Sequence, residues 1–140
     1  MRVFIAGVMQ ASYQRKGIMD QQYRTEIREA LLARWPWLEV VDPFELHPDS
    51  VTYQDAEAKD TLFRMIELAS SSDVVIAYAP VASMGTAVEM YAAYLRDVPI
   101  LTISPMTDNW VVRTLSRRVF SDIASFVAFI AEIESPVALN

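Results

Sequence analysis

The chain has 140 residues, of which 53% are hydrophobic, and its 12 basic and 18 acidic residues give a formal net charge of −6. A chain of this length is expected to form one domain, and its negative charge argues against binding a nucleic-acid polymer. The absence of cysteine excludes disulfides, thiolate catalysis and zinc–thiolate sites, and it fits a cytoplasmic protein. The high apolar content favours a homo-oligomer in which a partner copy covers apolar surface.

The first half of the chain alternates between strand and helix patterns. Its N-terminal apolar run is too short for a signal peptide, and no segment reaches the roughly 20 apolar residues of a membrane span. The predicted elements are a strand over 2–6 that ends at Gly7, a helix over 21–35 that Pro36 stops, a strand over 38–42, a loop over 43–52 and a helix over 54–69.

The second half continues the alternation with a β-branched run that is typical of a strand buried on both faces. The predicted elements are strands over 74–78, 99–103 and 119–120, and helices over 86–95, 110–116 and 122–133. Strands that alternate with helices predict a parallel, doubly wound α/β sheet. We therefore expect a single-domain, flavodoxin-like fold with five strands over residues 1–134, and a C-terminal tail over 135–140.

The segment Ser83–Glu89 follows the third predicted strand, at the sheet edge where open α/β folds bind ligands. In a functional interpretation, Ser83 and the N–H groups around Gly85 hold an anionic or hydroxyl group, and Glu89, in the first helical turn and favoured there by the helix dipole, is a nucleophile. In the alternative, Thr86 to Glu89 is a capping box, with Thr86 as the cap. The pattern by itself favours the capping box.

Four segments in a fixed order resemble a known family. Ala82-Ser-Met-Gly-Thr-Ala-Val-Glu89 is preceded by Asp73-Val-Val-Ile-Ala-Tyr78 and Glu39-Val-Val-Asp-Pro-Phe44, and followed by Pro99-Ile-Leu-Thr-Ile103. This arrangement resembles the nucleoside 2-deoxyribosyltransferase superfamily, which includes the nucleoside 5′-monophosphate N-glycosidases. The resemblance covers the whole domain. In that family a glutamate attacks C1′ of the sugar and forms a covalent intermediate, and the resemblance implies this role for Glu89.

The residue six positions before that glutamate is Ser83. In the family, transferases that act on nucleosides tend to carry aspartate there, whereas the monophosphate hydrolases carry serine. A serine hydroxyl and nearby N–H groups donate to a phosphate that an aspartate would repel, so the resemblance favours a nucleotide substrate. A partner subunit completes the site in relatives, with a serine in hydrolases and an asparagine in transferases, which implies Ser116 or Asn109 here. A helix cap or a solvated face is the alternative for both.

The sequence also departs from the family pattern. Relatives carry an aspartate eight residues before the residue that corresponds to Asp73, and here that position is Met65. Asp60 and Thr61, about one turn earlier, are possible substitutes. Phe4 stands where many relatives have a tyrosine. These differences leave the base and the sugar open.

In the first long loop, over 8–20, Val8-Met9-Gln10 replaces the serine and arginine that hold phosphate in the mammalian-type hydrolases. The candidate donors that this loop offers instead are Gln10, Ser12, Tyr13 and Arg15. After the second strand, Asp42, Glu45 and His47 stand where they could line a base pocket. Apolar or stacking surface for a base could come from Tyr78, Met84 and Trp110, although core or interface packing is the commoner role for such residues.

Taken together, the residues and the resemblance predict cleavage of the N-glycosidic bond of a nucleoside 5′-monophosphate or nucleoside, with Glu89 as the catalytic residue. Base exchange between deoxyribonucleosides is the alternative reaction, and a non-catalytic nucleotide-binding module is the alternative class. No metal or organic cofactor is expected. The expected substrate-binding residues are Gly7, Gln10, Asp42, Ser83, Met84, Gly85, Asn109 and Ser116.

Overall fold

The computed structural model describes residues 1–10 and 18–139 and contains a five-stranded sheet. The strands are β1 (Arg2–Gly7), β2 (Glu39–Val41), β3 (Val74–Tyr78), β4 (Ile100–Ile103) and β5 (Arg118–Phe120). Their order is β2-β1-β3-β4-β5 and every pairing is parallel. This confirms the predicted parallel α/β fold.

Helices cover both faces of the sheet. They are α1 (Gln22–Arg34), α2 (Pro43–Leu46), α3 (Asp55–Ser70), α4 (Met84–Tyr94), α5 (Trp110–Leu115) and α6 (Ile123–Glu132). The apolar sides of α1 and α6 form one core with one face of the sheet, whereas α3 and α4 form a second core with the other. Within the described residues, no helix is long and apolar enough to cross a bilayer.

Strand β1 shows why its sequence is continuously apolar. Val3 and Ile5 belong to the core under α1 and α6, while Phe4 and Ala6 belong to the core under α3 and α4. Because successive side chains point to opposite faces of a sheet, a central strand between two helical layers buries every residue.

Two segments differ from the sequence-based expectation. The predicted loop over 43–52 contains α2, which begins because the Asp42 carboxylate accepts a hydrogen bond from the Phe44 backbone N–H, and a short 3-10 turn over Ser50–Thr52. Residues 136–139, predicted as part of a tail, instead form a 3-10 turn. Leu139 is fully buried in the core beneath α1 and α6, because burial of an apolar side chain stabilises a segment that sequence pattern alone leaves unassigned.

Candidate active site

A cavity of about 270 Å³ opens at the carboxyl edge of the central strands. Strand β1 lies between β2 and β3, so the chain reverses its direction of travel across the sheet at this point. Loops diverge at such a switch point and leave a crevice, which is where open α/β folds bind small molecules. The end of β1, the segment after β2, and helices α3 and α4 all contribute to the cavity wall.

Glu89 lines this cavity and is only 8% exposed. Helix α4 begins at Met84 with Ser83 as its N-cap, so Glu89 lies in the second turn of the helix. The predicted capping box is therefore wrong, and so is the placement of Glu89 in the first turn. Both Ser83 and Thr86 are good cap residues, and the cap falls on Ser83 because its hydroxyl accepts from the Thr86 backbone N–H.

Burial raises the pKa of Glu89 to about 8, and the positive charge of Arg24 opposes this rise. The carboxyl group is thus kept largely protonated at neutral pH by its removal from water rather than ionised by the helix dipole. Among the described residues it is the one carboxyl group that lines the cavity. A desolvated carboxylate beside a ligand cavity is typical of a catalytic acid, base or nucleophile.

Ser83 is the N-cap residue of α4, and its side chain is hydrogen-bonded to Thr86. The Ser83 hydroxyl oxygen accepts from the Thr86 hydroxyl at 3.0 Å and from the Thr86 backbone N–H at 3.4 Å. Both contacts use the acceptor capacity of Ser83, so its own proton is available to a ligand oxygen. The first N–H groups of the helix lie beside it, and together they suit an anion.

Gly85 is in the first turn of α4 and lines the cavity. A Cβ added to it would meet no protein atom within 4 Å, and its φ is not positive. Its lack of a side chain is therefore required neither by protein packing nor by the backbone conformation. The open space is available to a ligand.

We expect Gly85→Ala to separate stability from binding. Alanine has the higher helix propensity, so the variant should gain about 0.5–1 kcal/mol in free energy of unfolding. The added methyl group occupies the ligand space, so nucleotide binding should weaken at least tenfold. Chemical denaturation and calorimetric titration with nucleoside 5′-monophosphates measure the two effects. Unchanged affinity would contradict a ligand at this turn.

The remaining cavity wall comes from the segment after β2 and from α3. His47 and Tyr53 line it, with the imidazole Nδ1 and the tyrosine hydroxyl 3.0 Å apart. Met65 and Thr61 also line it, whereas Asp60 is exposed and does not. Thr61 therefore remains a candidate substitute for the family's aspartate, and Asp60 is placed away from the site.

Asp42, predicted as a substrate-binding residue, lies in a buried ion pair instead. Its carboxylate is 2.9 Å from the Arg24 guanidinium, and it does not line the cavity. Arg24 is 2% exposed and also donates to the backbone carbonyls of Ile5 and Gly7 at the end of β1. Burial of both charges favours pairing them with each other over contact with a ligand.

Sequence reasoning missed Arg24. It lies on the same side of α1 as the apolar residues Ile27 and Leu31, so a basic residue interrupts a buried stripe. Such an interruption indicates a buried charge that needs a partner, and the acidic residue at the end of the neighbouring strand supplies it. That signal was present in the sequence.

Gly7 lines the cavity as predicted, and its lack of a side chain has a packing reason. A Cβ at this position would lie 2.2 Å from the Tyr23 hydroxyl, which donates to the Val8 carbonyl. The Tyr23 ring stacks on Tyr78 with the ring centroids 4.1 Å apart. Tyr78, a candidate surface for a base, is thus engaged in packing and does not line the cavity.

The other predicted residues fall in three places. Gln10 and Met84 line the cavity. Asn109 lines a second, mostly apolar cavity of about 420 Å³, which Ser83 also lines, and its side chain caps α5. The Ser116 hydroxyl bonds to Thr102 at 2.6 Å and lines neither cavity. Of the loop donors, Ser12, Tyr13 and Arg15 lie outside the described residues.

The parallel sheet with a cavity at its switch point defines a flavodoxin-like α/β domain, and solved structures share this fold over nearly the whole chain. The 2-deoxyribosyltransferase of the psychrotolerant bacterium Bacillus psychrosaccharolyticus matches with a TM-score of 0.68 at 16% identity, covering 99% of this chain and 96% of that chain. The CMP N-glycosidase BcmB of Clostridium botulinum matches with a TM-score of 0.55 at 18% identity, covering 95% and 100%.

A conserved protein from Enterococcus faecalis V583 matches with a TM-score of 0.65 at 17% identity, covering 94% of this chain and 97% of that chain. No protein-family model and no curated protein matches the sequence. The structural neighbours confirm the fold that the resemblance implied: the chain has the nucleoside 2-deoxyribosyltransferase-like fold.

Proposed function

We propose that this protein cleaves the N-glycosidic bond of a nucleoside 5′-monophosphate, with Glu89 as the nucleophile. The observation that carries the proposal is the burial of the Glu89 carboxyl group in the wall of the switch-point cavity, on the same helix as the Ser83 hydroxyl and the first N–H groups of α4. Two structural neighbours with this fold are named as a 2-deoxyribosyltransferase and a CMP N-glycosidase.

The chemistry proceeds in two displacements. A Glu89 carboxylate oxygen bonds to C1′ while the bond between C1′ and the base nitrogen breaks, and the electron pair leaves with the base. Water then attacks C1′ and releases the carboxylate, so the sugar keeps its anomeric configuration, as in retaining glycosidases. The acceptor in the second step decides between hydrolysis by water and transfer to a second base.

Ser83 is the reason for preferring a nucleotide over a nucleoside. Its hydroxyl proton is free to donate because its oxygen already accepts two bonds from Thr86. Charge-assisted hydrogen bonds to a phosphate are stronger than bonds to a neutral 5′-hydroxyl. No metal or organic cofactor enters these steps.

The proposal is tested by incubating the protein with a panel of nucleosides and nucleoside 5′-monophosphates and following free base by chromatography. We expect base release from at least one monophosphate, and slower release from the matching nucleoside. Release that depends on a second added base would instead identify a transferase, as the Bacillus psychrosaccharolyticus neighbour is named. Binding without release from any substrate would leave a nucleotide-binding module.

We also propose that a second copy of this chain covers the outer face of α4. Met84, Val88, Tyr91 and Leu95 are all exposed and recur at helical spacing along this face. Exposed apolar residues in such an arrangement are typical of an interface. The face adjoins both cavities through Met84, so a partner subunit there can complete the substrate site.

Light scattering after size-exclusion chromatography tests the second copy. The wild-type protein should have at least twice the mass of one chain, and Val88→Asp should shift it toward the single-chain mass. Val137→Asp places the same substitution at an exposed valine on a different part of the surface and serves as the control. A wild-type protein with the mass of one chain would contradict the interface.

A further inference from the structure

His47 and Tyr53 form a polar pair in the cavity wall that the two displacements do not use. His47 follows α2 and Tyr53 follows the 3-10 turn, and both side chains are half-buried. Their rings meet edge to face with the centroids 5.9 Å apart, and the imidazole Nδ1 lies 3.0 Å from the tyrosine hydroxyl. The contact fixes the orientation of the imidazole and leaves Nε2 as its second polar atom.

Departure of a nucleobase needs a proton donor. When the bond to C1′ breaks, the electron pair leaves the base as an anion unless a proton reaches a ring nitrogen or an exocyclic oxygen. General acids that supply such a proton accelerate reactions by about 10²–10⁴-fold. Histidine is the side chain best suited to proton exchange near neutral pH.

Few groups in the cavity can play this part. Glu89 bonds to C1′ in the proposed mechanism and is the one carboxyl group among the described lining residues. Met65, at the position where the resemblance implies an aspartate, lines the cavity with a thioether. The other described polar side chains of the wall include Gln10, Ser50 and Thr61, and among them His47 is of the type that exchanges protons near neutral pH.

We infer that His47, oriented by Tyr53, is the general acid that protonates the departing base. This inference rests on the proposed function. In the protonated imidazole, the Nδ1 proton is donated to the Tyr53 oxygen and the Nε2 proton passes to the base as the bond from C1′ to the base nitrogen breaks. In the second step, the attacking water gives one proton to Nε2, which restores the acid, and its oxygen bonds to C1′ as the bond to Glu89 breaks.

The test is a leaving-group series on the base that the wild-type protein releases, with ring substituents such as halogens that make the base progressively more acidic. If His47 protonates the departing nucleobase, kcat of the wild-type protein should depend only weakly on the acidity of that nucleobase. His47→Gln, whose amide keeps a hydrogen bond to Tyr53, should lose about 100-fold or more on the least acidic base and less than about threefold on the most acidic one. Tyr53→Phe should show the same trend with a smaller loss.

A loss of the same size across the series would overturn the inference, because a misfolded or misshapen site slows every substrate alike. Full activity of His47→Gln would also overturn it. Both outcomes leave the role of Glu89 intact, since Glu89→Gln should be inactive on every member of the series. Absence of base release by the wild-type protein would reject the proposed function together with this inference.

Discussion

Glu89→Gln should abolish base release and, at the same time, make the protein more stable at neutral and alkaline pH. The amide matches the shape of the carboxyl group but cannot attack C1′ or carry a negative charge. Because burial desolvates the carboxyl group and raises its pKa to about 8, ionising it costs more free energy in the folded protein than in the unfolded chain. Glutamine removes that cost.

The direction of the pH dependence follows from proton binding. Between the ordinary pKa of 4.5 and the folded value of about 8, the folded protein holds a proton that the unfolded chain releases. The stability of the wild-type protein therefore falls as pH rises through this window, and above it the loss is complete. The stabilising effect of Glu89→Gln should grow across the same interval and reach about 2–5 kcal/mol above pH 8.

Urea denaturation at pH 5, 7 and 9 measures this effect, and base release under the same conditions measures activity. Glu132→Gln is the matched control, because Glu132 is exposed at the end of α6 and should change neither quantity. On the most acidic base of the leaving-group series, whose departure does not need the general acid, kcat/KM of the wild-type protein should rise with pH toward a plateau above about 8, since the nucleophile is the ionised form. Base release by Glu89→Gln at more than a few per cent of the wild-type rate would assign the nucleophile to another group.

Arg24→Met and Asp42→Asn should shift that pH profile in opposite directions. Arg24 opposes the rise in the pKa of Glu89, so removing its charge should raise this pKa and move the rising limb of kcat/KM to higher pH. Asp42 is the counter-ion that lies 2.9 Å from Arg24. Its neutralisation leaves the guanidinium uncompensated, so the limb should move to lower pH by a smaller amount.

The two variants should also differ in stability. Arg24→Met leaves a buried carboxylate unpaired and removes donors from the Ile5 and Gly7 carbonyls, so it should cost about 3–5 kcal/mol. Asp42→Asn keeps an oxygen that can accept from Arg24 and from the Phe44 backbone N–H, so it should cost about 1–3 kcal/mol.

The variant that carries both Arg24→Met and Asp42→Asn completes a double-mutant cycle. With both charges removed, its loss of stability should be smaller than the sum of the two single losses by about 1–3 kcal/mol. Its pH profile should resemble that of Arg24→Met, because among the described residues Arg24 is the one whose positive charge lowers the pKa of Glu89. Opposite shifts in the single variants cannot come from general loosening of the site. Identical shifts would contradict an electrostatic role for the pair.

Much of the fold could be predicted because its signals are local. A central strand such as β3 is apolar at nearly every position since helices cover both of its faces. The segment from Ser83 to Glu89 follows the third strand, so the sequence also predicts its position at the carboxyl edge of the sheet, where it lines the cavity. The start of α4 was misplaced because Ser83 and Thr86 have similar capping propensities, and the backbone conformation selects one of them.

The sequence by itself determined the alternation of strands and helices, the absence of thiol chemistry, and the placement of Ser83 and Glu89 in the segment that follows the third strand. Only the tertiary structure decided that the Glu89 carboxyl group is buried in a cavity wall rather than part of a cap, that Asp42 pairs with Arg24 away from that cavity, and that His47 lines the same cavity. Burial and ion pairing depend on which residues, distant along the chain, meet in space. Sequence periodicity describes one element at a time: it can indicate that a charge such as that of Arg24 is buried, but it does not show which distant residue meets that charge.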